Sequence, residues 1–276
     1  MGIRCIILLM CVCLCSNTHA RKKNYKKLPP LNVLAQINDS IIKEGMMLYT
    51  HEVMSWRLTD HFFLKQHKAD EVGASLVYTQ NDSIWSAIFV DKENNCIFEY
   101  RLNAFSLETE VVDTIRSMTR FECDLLTDKQ KKIDTAIKVY GDSLNWLSSE
   151  IGNFNFDLLQ IGNHSRLYIL QGISKNNIIP FGNDYAIDFN EDNEIVKFRR
   201  LHKSFIPVST VMENGEKVVE VYHSHLQDNP FITTTDICNY LLYGRSAGLT
   251  SFSVISTYYH CRFTYYDNQI YTVLMK

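Results

Sequence analysis

The carboxy-terminal half of the chain carries a series of short segments rich in β-branched and aromatic residues, and this series restricts the fold more than any other feature. Polar turn clusters, such as residues 190–193, separate the segments. Short runs of this composition between turns are typical of β-strands. They are FDLLQIG, RLYILQGI, YAIDFN, IVKFRRLHKS and VVEVYHSH, followed after a short helix from about Thr234 to Tyr243 by FSVIST, CRFTYYD and QIYTVLMK. Asp267-Asn268 predicts a hairpin between the last two, and the pattern predicts mainly antiparallel pairing.

The amino-terminal half combines helical and strand patterns. Apolar residues recur at helical spacing in LNVLAQINDSIIKEG and continue into MMLYTHEVMSW, whereas ASLVYTQ, SIWSAIFVD and CIFEYRLN predict a three-stranded antiparallel meander. Further helices are predicted from Leu107, Val111, Ile115 and Met118, and from Ile133 to Leu147 after Thr127-Asp128. We therefore predict an α+β fold of mainly antiparallel sheet with helices, divided into an amino-terminal α+β region at 21–120 and a second domain at 121–276.

Residues 1–20 have the pattern of a secretory signal peptide. Arg4 precedes an apolar run from Cys5 to Cys15, and Thr18 and Ala20 supply small residues for cleavage. The run is too short for a comfortable membrane span, for which about 20 residues are needed. A lipid anchor is disfavoured because no small residue precedes a cysteine in this run, although the basic residues that follow Ala20 oppose translocation. We expect an exported protein, periplasmic or extracellular, with no membrane span after cleavage.

Charge and cysteine content narrow the classes of function. The formal net charge of the 276-residue chain is -3, and removal of the leader takes Arg4 and no acidic residue, which makes it -4. A charge of this sign gives no electrostatic reason to expect a nucleic acid partner. The leader also contains four of the eight cysteines. The remaining four, Cys96, Cys123, Cys238 and Cys261, are widely spaced, which makes a cysteine zinc site improbable and leaves buried thiols or one to two disulfides open.

Several catalytic motifs are only partly matched by this sequence. His51-Glu52 starts like a zinc-protease helix, but Ser55 stands where the second histidine must be. Gly244 to Gly248 matches GxSxG in letters, but a helix precedes it and a strand follows, the reverse of a nucleophile elbow. Trp56, Asp60 and His61 form a polar and aromatic group for which a structural role is expected. Neither GxxxxGK nor GxGxxG occurs, so nucleotide chemistry has no support.

The segment from Tyr222 to Asp236 is the most informative for function. His223 and His225 are two residues apart in a predicted strand, so both point to the same face. Seven residues then lead to Thr233, which is placed to cap a helix whose first turn contains Asp236. Two histidines and one aspartate provide three ligands and leave a fourth tetrahedral position for water, as a catalytic zinc site requires. Thr233 and Asp236 also have the spacing of a capping box, which any helix that starts there can use.

This pattern of His-x-His, seven residues, a hydroxyl residue, two residues and Asp resembles the JAB/MPN (JAMM) zinc metalloproteases. The resemblance covers about the last 100 residues, and it implies a JAB/MPN (cytidine-deaminase-like) topology there. It also implies that His223, His225 and Asp236 bind Zn²⁺, that the hydroxyl residue stabilises the tetrahedral intermediate, and that an upstream glutamate is the general base. Family members cleave peptide or isopeptide bonds. The segments FGNDYAIDF, LHKSFIP and TDICNYLLYG also resemble parts of uncharacterised exported proteins of Gram-negative bacteria.

The sequence departs from the family pattern at two catalytic positions. Thr233 replaces serine, which retains the hydroxyl and adds a methyl group. The strand YAIDFN is preceded by Asp184 where the family has glutamate, and Glu191 and Glu194 in the polar turn are the alternative bases. His202, at the end of IVKFRRLHKS, is expected either to line the same cleft or to be solvated.

Two hypotheses follow. The first is an exported zinc-dependent hydrolase that cleaves a peptide or isopeptide bond in a peptide or protein substrate, with Asp184 and Thr233 in catalytic roles. The second is a non-catalytic binding or structural module on a degenerate JAB/MPN-like scaffold.

Overall fold

The protein has an α+β fold with mostly antiparallel sheets, as predicted. The computed structural model describes residues 29–80 and 83–275, so the signal-peptide prediction for residues 1–20 lies outside the described residues. The helices are α1 Leu31–Leu64, α2 Arg120–Tyr140 and α3 Thr234–Asn239, which continues through a π-helical turn Tyr240–Gly244 into Arg245–Ala247. The strands are β1 Ala74–Gln80, β2 Ile84–Val90, β3 Asn95–Asn103, β4 Thr109–Val112, β5 Arg116–Ser117, β6 Phe154–Ile161, β7 His164–Gln171, β8 Ile178–Gly182, β9 Tyr185–Phe189, β10 Ile195–Arg200, β11 Phe205–Ser209, β12 Glu220–Ser224, β13 Ser251–Ile255, β14 Tyr259–Thr264 and β15 Gln269–Leu274.

Helix α1 contributes to three separate parts of the hydrophobic core. At a rise of about 1.5 Å per residue its 34 residues extend over about 50 Å. Leu34 near its start packs with the carboxy-terminal sheet, Leu48 packs near β6 and β7, and Phe62 near its end packs under β2 and β3. The helix therefore joins the amino-terminal and carboxy-terminal regions, and the boundary predicted near residue 120 stays a prediction.

The amino-terminal sheet confirms the predicted meander and corrects one helix. Strands β1, β2, β3 and β4 are neighbours in that order, and β5 pairs with the start of β3. The helix predicted over residues 107–118 is wrong, because β4 and β5 occupy this segment. Leu107 has a φ of 58° in the turn after β3, and both Leu107 and Ile115 are exposed, so their helical spacing does not mark a buried face.

Helix α2 begins earlier than predicted. Thr119 caps it: its hydroxyl accepts a hydrogen bond from the Glu122 amide, and the Glu122 carboxylate accepts one from the Thr119 amide. The helix ends at Tyr140, so the predicted continuation to Leu147 does not form. Leu144 is nevertheless buried in the core shared by α2 and the central sheet.

The central sheet has the order β10-β9-β7-β6, and β8 pairs with β11 in a separate two-stranded ribbon. Neither β8 nor β11 was predicted. Each contains a proline, Pro180 or Pro207, and the two prolines lie opposite each other in the ribbon. Proline provides no amide hydrogen for a ladder, so it lowers the strand propensity of a segment and is tolerated mainly at sheet edges.

The carboxy-terminal sheet has the order β12-β13-β14-β15, and β14 and β15 form the predicted hairpin. Strand β12 is parallel to β13, and α3 lies in the crossover between them. A parallel pair requires a crossover of this kind, and it places the carboxyl end of β12 near the amino end of the helix.

The four cysteines in the described part of the chain are free thiols. Cys96, Cys238 and Cys261 are buried and Cys123 is exposed, so the thiol alternative applies and the disulfide alternative does not. Within residues 29–80 and 83–275, no helix has both the length and the apolar character needed to cross a membrane.

Candidate metal centre

Three histidines and one aspartate from separate parts of the fold converge in the carboxy-terminal half. They are His202 after β10, His223 in β12, His225 just after β12, and Asp236 in the first turn of α3. One ligand-type atom from each lies within 4.8 Å of all the others. This group could hold a metal ion.

The distances between these atoms are short. The Nε2 atom of His225 is 2.8 Å from Nε2 of His202 and 3.0 Å from Nε2 of His223. Oδ1 of Asp236 lies 3.2 Å from Nε2 of His202 and 3.2 Å from Nε2 of His223. Around a tetrahedral zinc ion with bonds of about 2.0–2.1 Å, neighbouring ligand atoms are about 3.3 Å apart. The observed separations therefore approach those of a tetrahedral site.

Hydrogen bonds on the far sides of two imidazole rings orient their Nε2 atoms. Nδ1 of His202 bonds to Oδ1 of Asp184 at 2.7 Å, and Nδ1 of His225 bonds to the carbonyl oxygen of Phe231 at 2.7 Å. A carbonyl oxygen only accepts, so Nδ1 of His225 carries the hydrogen and a neutral ring presents a lone pair at Nε2. Outer partners of this type fix the tautomer of metal-binding histidines.

The short contacts around His225 are not all satisfied by hydrogen bonds. Its Nε2 lone pair can accept one hydrogen, from His202 or from His223, but both Nε2 atoms approach it. Nδ1 of His223 and Oδ1 of Asp236 are buried and have no hydrogen-bond partner. A cation between the four groups would satisfy Oδ1 and the converging lone pairs together, so the residues present fit a metal ion.

Asp236 uses its two carboxylate oxygens for different purposes. Oδ2 accepts hydrogen bonds from the amide and the hydroxyl of Thr233, each at 2.8 Å, and the Thr233 hydroxyl accepts from the Asp236 amide. This is the capping box of α3. Oδ1 is thereby held toward the histidines, and the start of the helix positions a candidate ligand.

The loop between His225 and α3 is tied to the segment that carries His202. The side-chain amide of Asn229 donates to the carbonyl oxygen of Leu201 at 2.9 Å. The amide of Leu201 in turn donates to the carbonyl oxygen of Asp184 at 3.0 Å. These bonds hold His202, Asp184 and the loop after His225 in fixed positions relative to one another, although they are far apart in the sequence.

Burial and the neighbouring charges shift several pKa values in the group. Burial opposes ionisation of His202, but Asp184 and Asp236 together hold its pKa well above the usual value. Burial, together with His223 and His202, lowers the pKa of His225 to about 4. Burial alone would raise the pKa of Asp236, but His202 and His223 hold it well below the usual value. His225 is therefore neutral, and Asp236 is ionised, at neutral pH.

The structure brings together the three predicted ligands and adds His202. His202 is 5% exposed, so the expectation that it is solvated is wrong and the alternative that it lines the same cleft is correct. Its position could not be derived from spacing, because 20 residues separate it from His223. Its place at the end of a strand-like segment was the only available signal.

The other predicted site residues have structural contacts. Both carboxylate oxygens of Asp184 are engaged, one by Nδ1 of His202 and the other by the hydroxyl of Thr235. Glu191 and Glu194 are exposed residues of the turn between β9 and β10, and neither belongs to the group that could hold a metal ion. The Thr233 hydroxyl is occupied by the capping box.

The polar and aromatic group near the end of α1 also has packing contacts. His61 stacks on Tyr100, with ring centroids 5.3 Å apart, and Trp56 lies edge-on to Tyr243 at 5.1 Å. These contacts agree with the structural role expected for the group.

Comparison with protein-family models, with curated proteins and with solved structures finds no match to this chain. The resemblance to the JAB/MPN metalloproteases therefore remains a prediction, as does the JAB/MPN topology of the carboxy-terminal region. What can be said of function rests on the geometry of the group.

We expect Asp184→Ala to weaken metal binding by about 10- to 100-fold, because His202 loses the acceptor that orients its ring. The dissociation constant for zinc, measured by competition with a chromophoric chelator, tests this. Glu191→Gln is the matched control, since it removes an exposed carboxylate that the group does not use. Equal affinity of the Asp184→Ala variant and the unsubstituted protein would show that Asp184 does not support the site.

Proposed function

We propose that this protein binds one zinc ion through His202, His223, His225 and Asp236, and that the ion is a structural centre of the carboxy-terminal region. The observation that carries the proposal is the convergence of three Nε2 atoms and the unpartnered Oδ1 atom within 4.8 Å. Four protein ligands fill a tetrahedral coordination shell. Closed shells are typical of structural zinc sites, whereas catalytic sites keep a position for water.

The donor set favours zinc. Imidazole nitrogen suits zinc, copper, iron and nickel, and one carboxylate oxygen is a common fourth ligand for zinc. Magnesium and calcium prefer shells made of oxygen atoms, so a set of three nitrogens and one oxygen disfavours both. Copper also binds imidazole tightly, and metal analysis must therefore include it.

The position of the group supports a role in stability. Its ligands come from the end of β10, from β12 and from α3, which meet only in the folded chain. Each ligand residue is at most 8% exposed. An ion bound here joins three elements and stabilises only the folded state, so its binding free energy contributes to folding.

Metal analysis of purified protein tests the proposal. We expect close to one zinc per chain in the unsubstituted protein and none in the His223→Ala, His225→Ala double variant. Cobalt substitution tests the coordination number, because four-coordinate and six-coordinate cobalt differ strongly in visible absorption. Absence of bound metal after zinc is added and the excess removed would overturn the proposal.

A second candidate function is the JAB/MPN-type hydrolase acting on a peptide or isopeptide bond. The observation in its favour is that His223, His225 and Asp236, the ligands implied by the resemblance, lie together. Zinc in such a site lowers the pKa of a bound water molecule, for which His202 would have to leave its place among the ligand atoms. The contacts of Asp184 and Thr233 support orientation and helix capping more directly than proton transfer or oxyanion binding.

His202→Ala separates the two candidates. If the centre is structural, the variant binds zinc more weakly and cleaves no peptide. If the site is hydrolytic and His202 blocks it, the variant gains activity against a mixed peptide library, and that activity disappears with a chelator. Export and a peptide or protein partner stay predictions.

A further inference from the structure

We propose that Glu52 and Asp157 share one proton that holds α1 to the central sheet, and that this acid pair makes the junction weaken in alkaline solution. The pair lies outside the metal centre. Glu52 comes from α1 and Asp157 from β6, and the two residues are 5% and 6% exposed. The inference is independent of the proposed zinc site.

The hydrogen bonds of the pair require a proton. Oδ2 of Asp157 is buried and accepts no hydrogen bond from any donor among the described residues. On α1, the Asp157 carboxyl group contacts Nδ1 of His51 through Oδ1 and also lies within hydrogen-bonding reach of the Glu52 carboxyl group. Two carboxylates only accept, so a bond between them exists only while one is protonated. A proton on Glu52 supplies the donor that Asp157 otherwise lacks.

The neighbouring groups do not supply enough positive charge for two buried carboxylates. His51 on α1 approaches Asp157 with Nδ1 at 3.4 Å from Oδ1, and the side-chain amide of Asn155 donates to Glu52 at 3.1 Å. Lys129 on α2 acts on both carboxyls through space, but its ammonium group donates to the Ser75 carbonyl oxygen at 3.4 Å. Loss of the shared proton would therefore leave a second buried negative charge without a close partner.

The remaining titratable groups around the pair do not offset its charge. Cys238 of α3 and Tyr243 of the helical extension both lie within electrostatic range of Glu52, and burial raises the pKa of each, so both stay neutral and neither supplies a positive charge. Trp85 of β2 packs edge-on against His51 with ring centroids 5.3 Å apart, so the amino-terminal sheet also meets this point. The pair thus lies where four parts of the fold are in contact.

The direction of the pH dependence follows from the protonation of Glu52. Burial, assisted by the charge of Asp157, raises the pKa of Glu52 to about 8. Burial alone would raise the pKa of Asp157, but the bond from His51 and the proton on Glu52 hold it below its usual value. Folding then takes up a proton, so stability falls as pH rises from the ordinary pKa of glutamate toward about 8 and then levels off.

Urea unfolding of the full chain at pH 6.5 and pH 9 tests the proposal. We expect the unfolding equilibrium constant to rise about 30-fold between these pH values in the unsubstituted protein, as a single group with a pKa of about 8 predicts. In Glu52→Gln the amide donates to Asp157 at every pH, and the constant stays nearly unchanged. Glu99→Gln is the matched control, because Glu99 is also buried but is paired with Arg101 and Arg116. This variant retains the rise.

An equal rise in the unsubstituted protein and in Glu52→Gln would overturn the proposal. Metal content is measured at both pH values. The same unfolding experiment is repeated with the His223→Ala, His225→Ala double variant, which lacks two candidate ligands. If loss of an ion causes the rise in the unfolding constant, the rise is absent from this variant. If Glu52→Gln does not fold, carbon-13 NMR of the unsubstituted protein decides. We expect one glutamate carboxyl carbon to titrate with a midpoint near 8, and its absence overturns the shared proton.

Discussion

Removal of zinc is expected to lower the free energy of unfolding by about 4 kcal/mol when free zinc had been at about a thousand times its dissociation constant. The reason is that the ligands come from β10, β12 and α3 and are adjacent only in the folded chain. Without the ion, Oδ1 of Asp236 is buried without a hydrogen-bond partner. Thermal unfolding with and without a strong chelator measures the effect.

The control for this prediction is the His223→Ala, His225→Ala double variant. It lacks two ligands, so its unfolding temperature should be lower and should not respond to the chelator. A chelator effect of the same size in both proteins would assign the stabilisation to another part of the chain. No effect in either would show that the group does not contribute to folding through a metal.

Gly45→Val is expected to destabilise the protein by about 3 kcal/mol and to weaken zinc binding. A β-carbon placed on Gly45 would lie 2.7 Å from Cβ of Ile237, so α1 and α3 touch at this glycine. Alanine in place of a helical glycine normally stabilises by about 1 kcal/mol, but a forced contact in a packed core costs about 1–3 kcal/mol or more. The steric cost exceeds the gain in helix propensity, because Ile237 is fully buried in the packed core.

The effect on the metal follows from the position of Ile237, which comes directly after Asp236. Moving α3 away from α1 displaces Oδ1 of Asp236 from the histidines. Urea unfolding and zinc titration measure the two effects. Gly141→Val is the matched control, since its added β-carbon would meet Ile137 at an ordinary 3.6 Å. Equal stability of both variants would contradict close packing of α1 on α3.

Much of the fold follows from local patterns in the sequence. Helix α1, the meander of β1 to β3 and the final hairpin were predicted because their apolar residues repeat with the period of the element that forms. The errors have local causes as well. The apolar residues at 107–118 have helical spacing although the segment forms strands. The prolines of β8 and β11 lower the strand propensity of these two segments, so neither strand was predicted.

The candidate site was predicted in part. His223, His225 and Asp236 lie within 14 residues of one another, and strand and helix geometry is enough to expect their convergence. His202 and Asp184 come from segments joined to the group by β9 and β10 and by the bond from Asn229 to Leu201. Spacing along the chain contains no information on such contacts.

The acid pair of Glu52 and Asp157 shows the same limit. In the sequence, Glu52 belongs only to an incomplete protease motif, and the carboxyl group that lies beside it is 105 residues away in β6. A periodic pattern depends on neighbours within a few residues, so the sequence alone was enough to predict the class of fold and three candidate ligands. Burial, hydrogen-bond partners and the environment of a charge depend on the packing of distant segments. The approach of His202 to the other three side chains and the burial of Glu52 and Asp157 are therefore decided only by the tertiary structure.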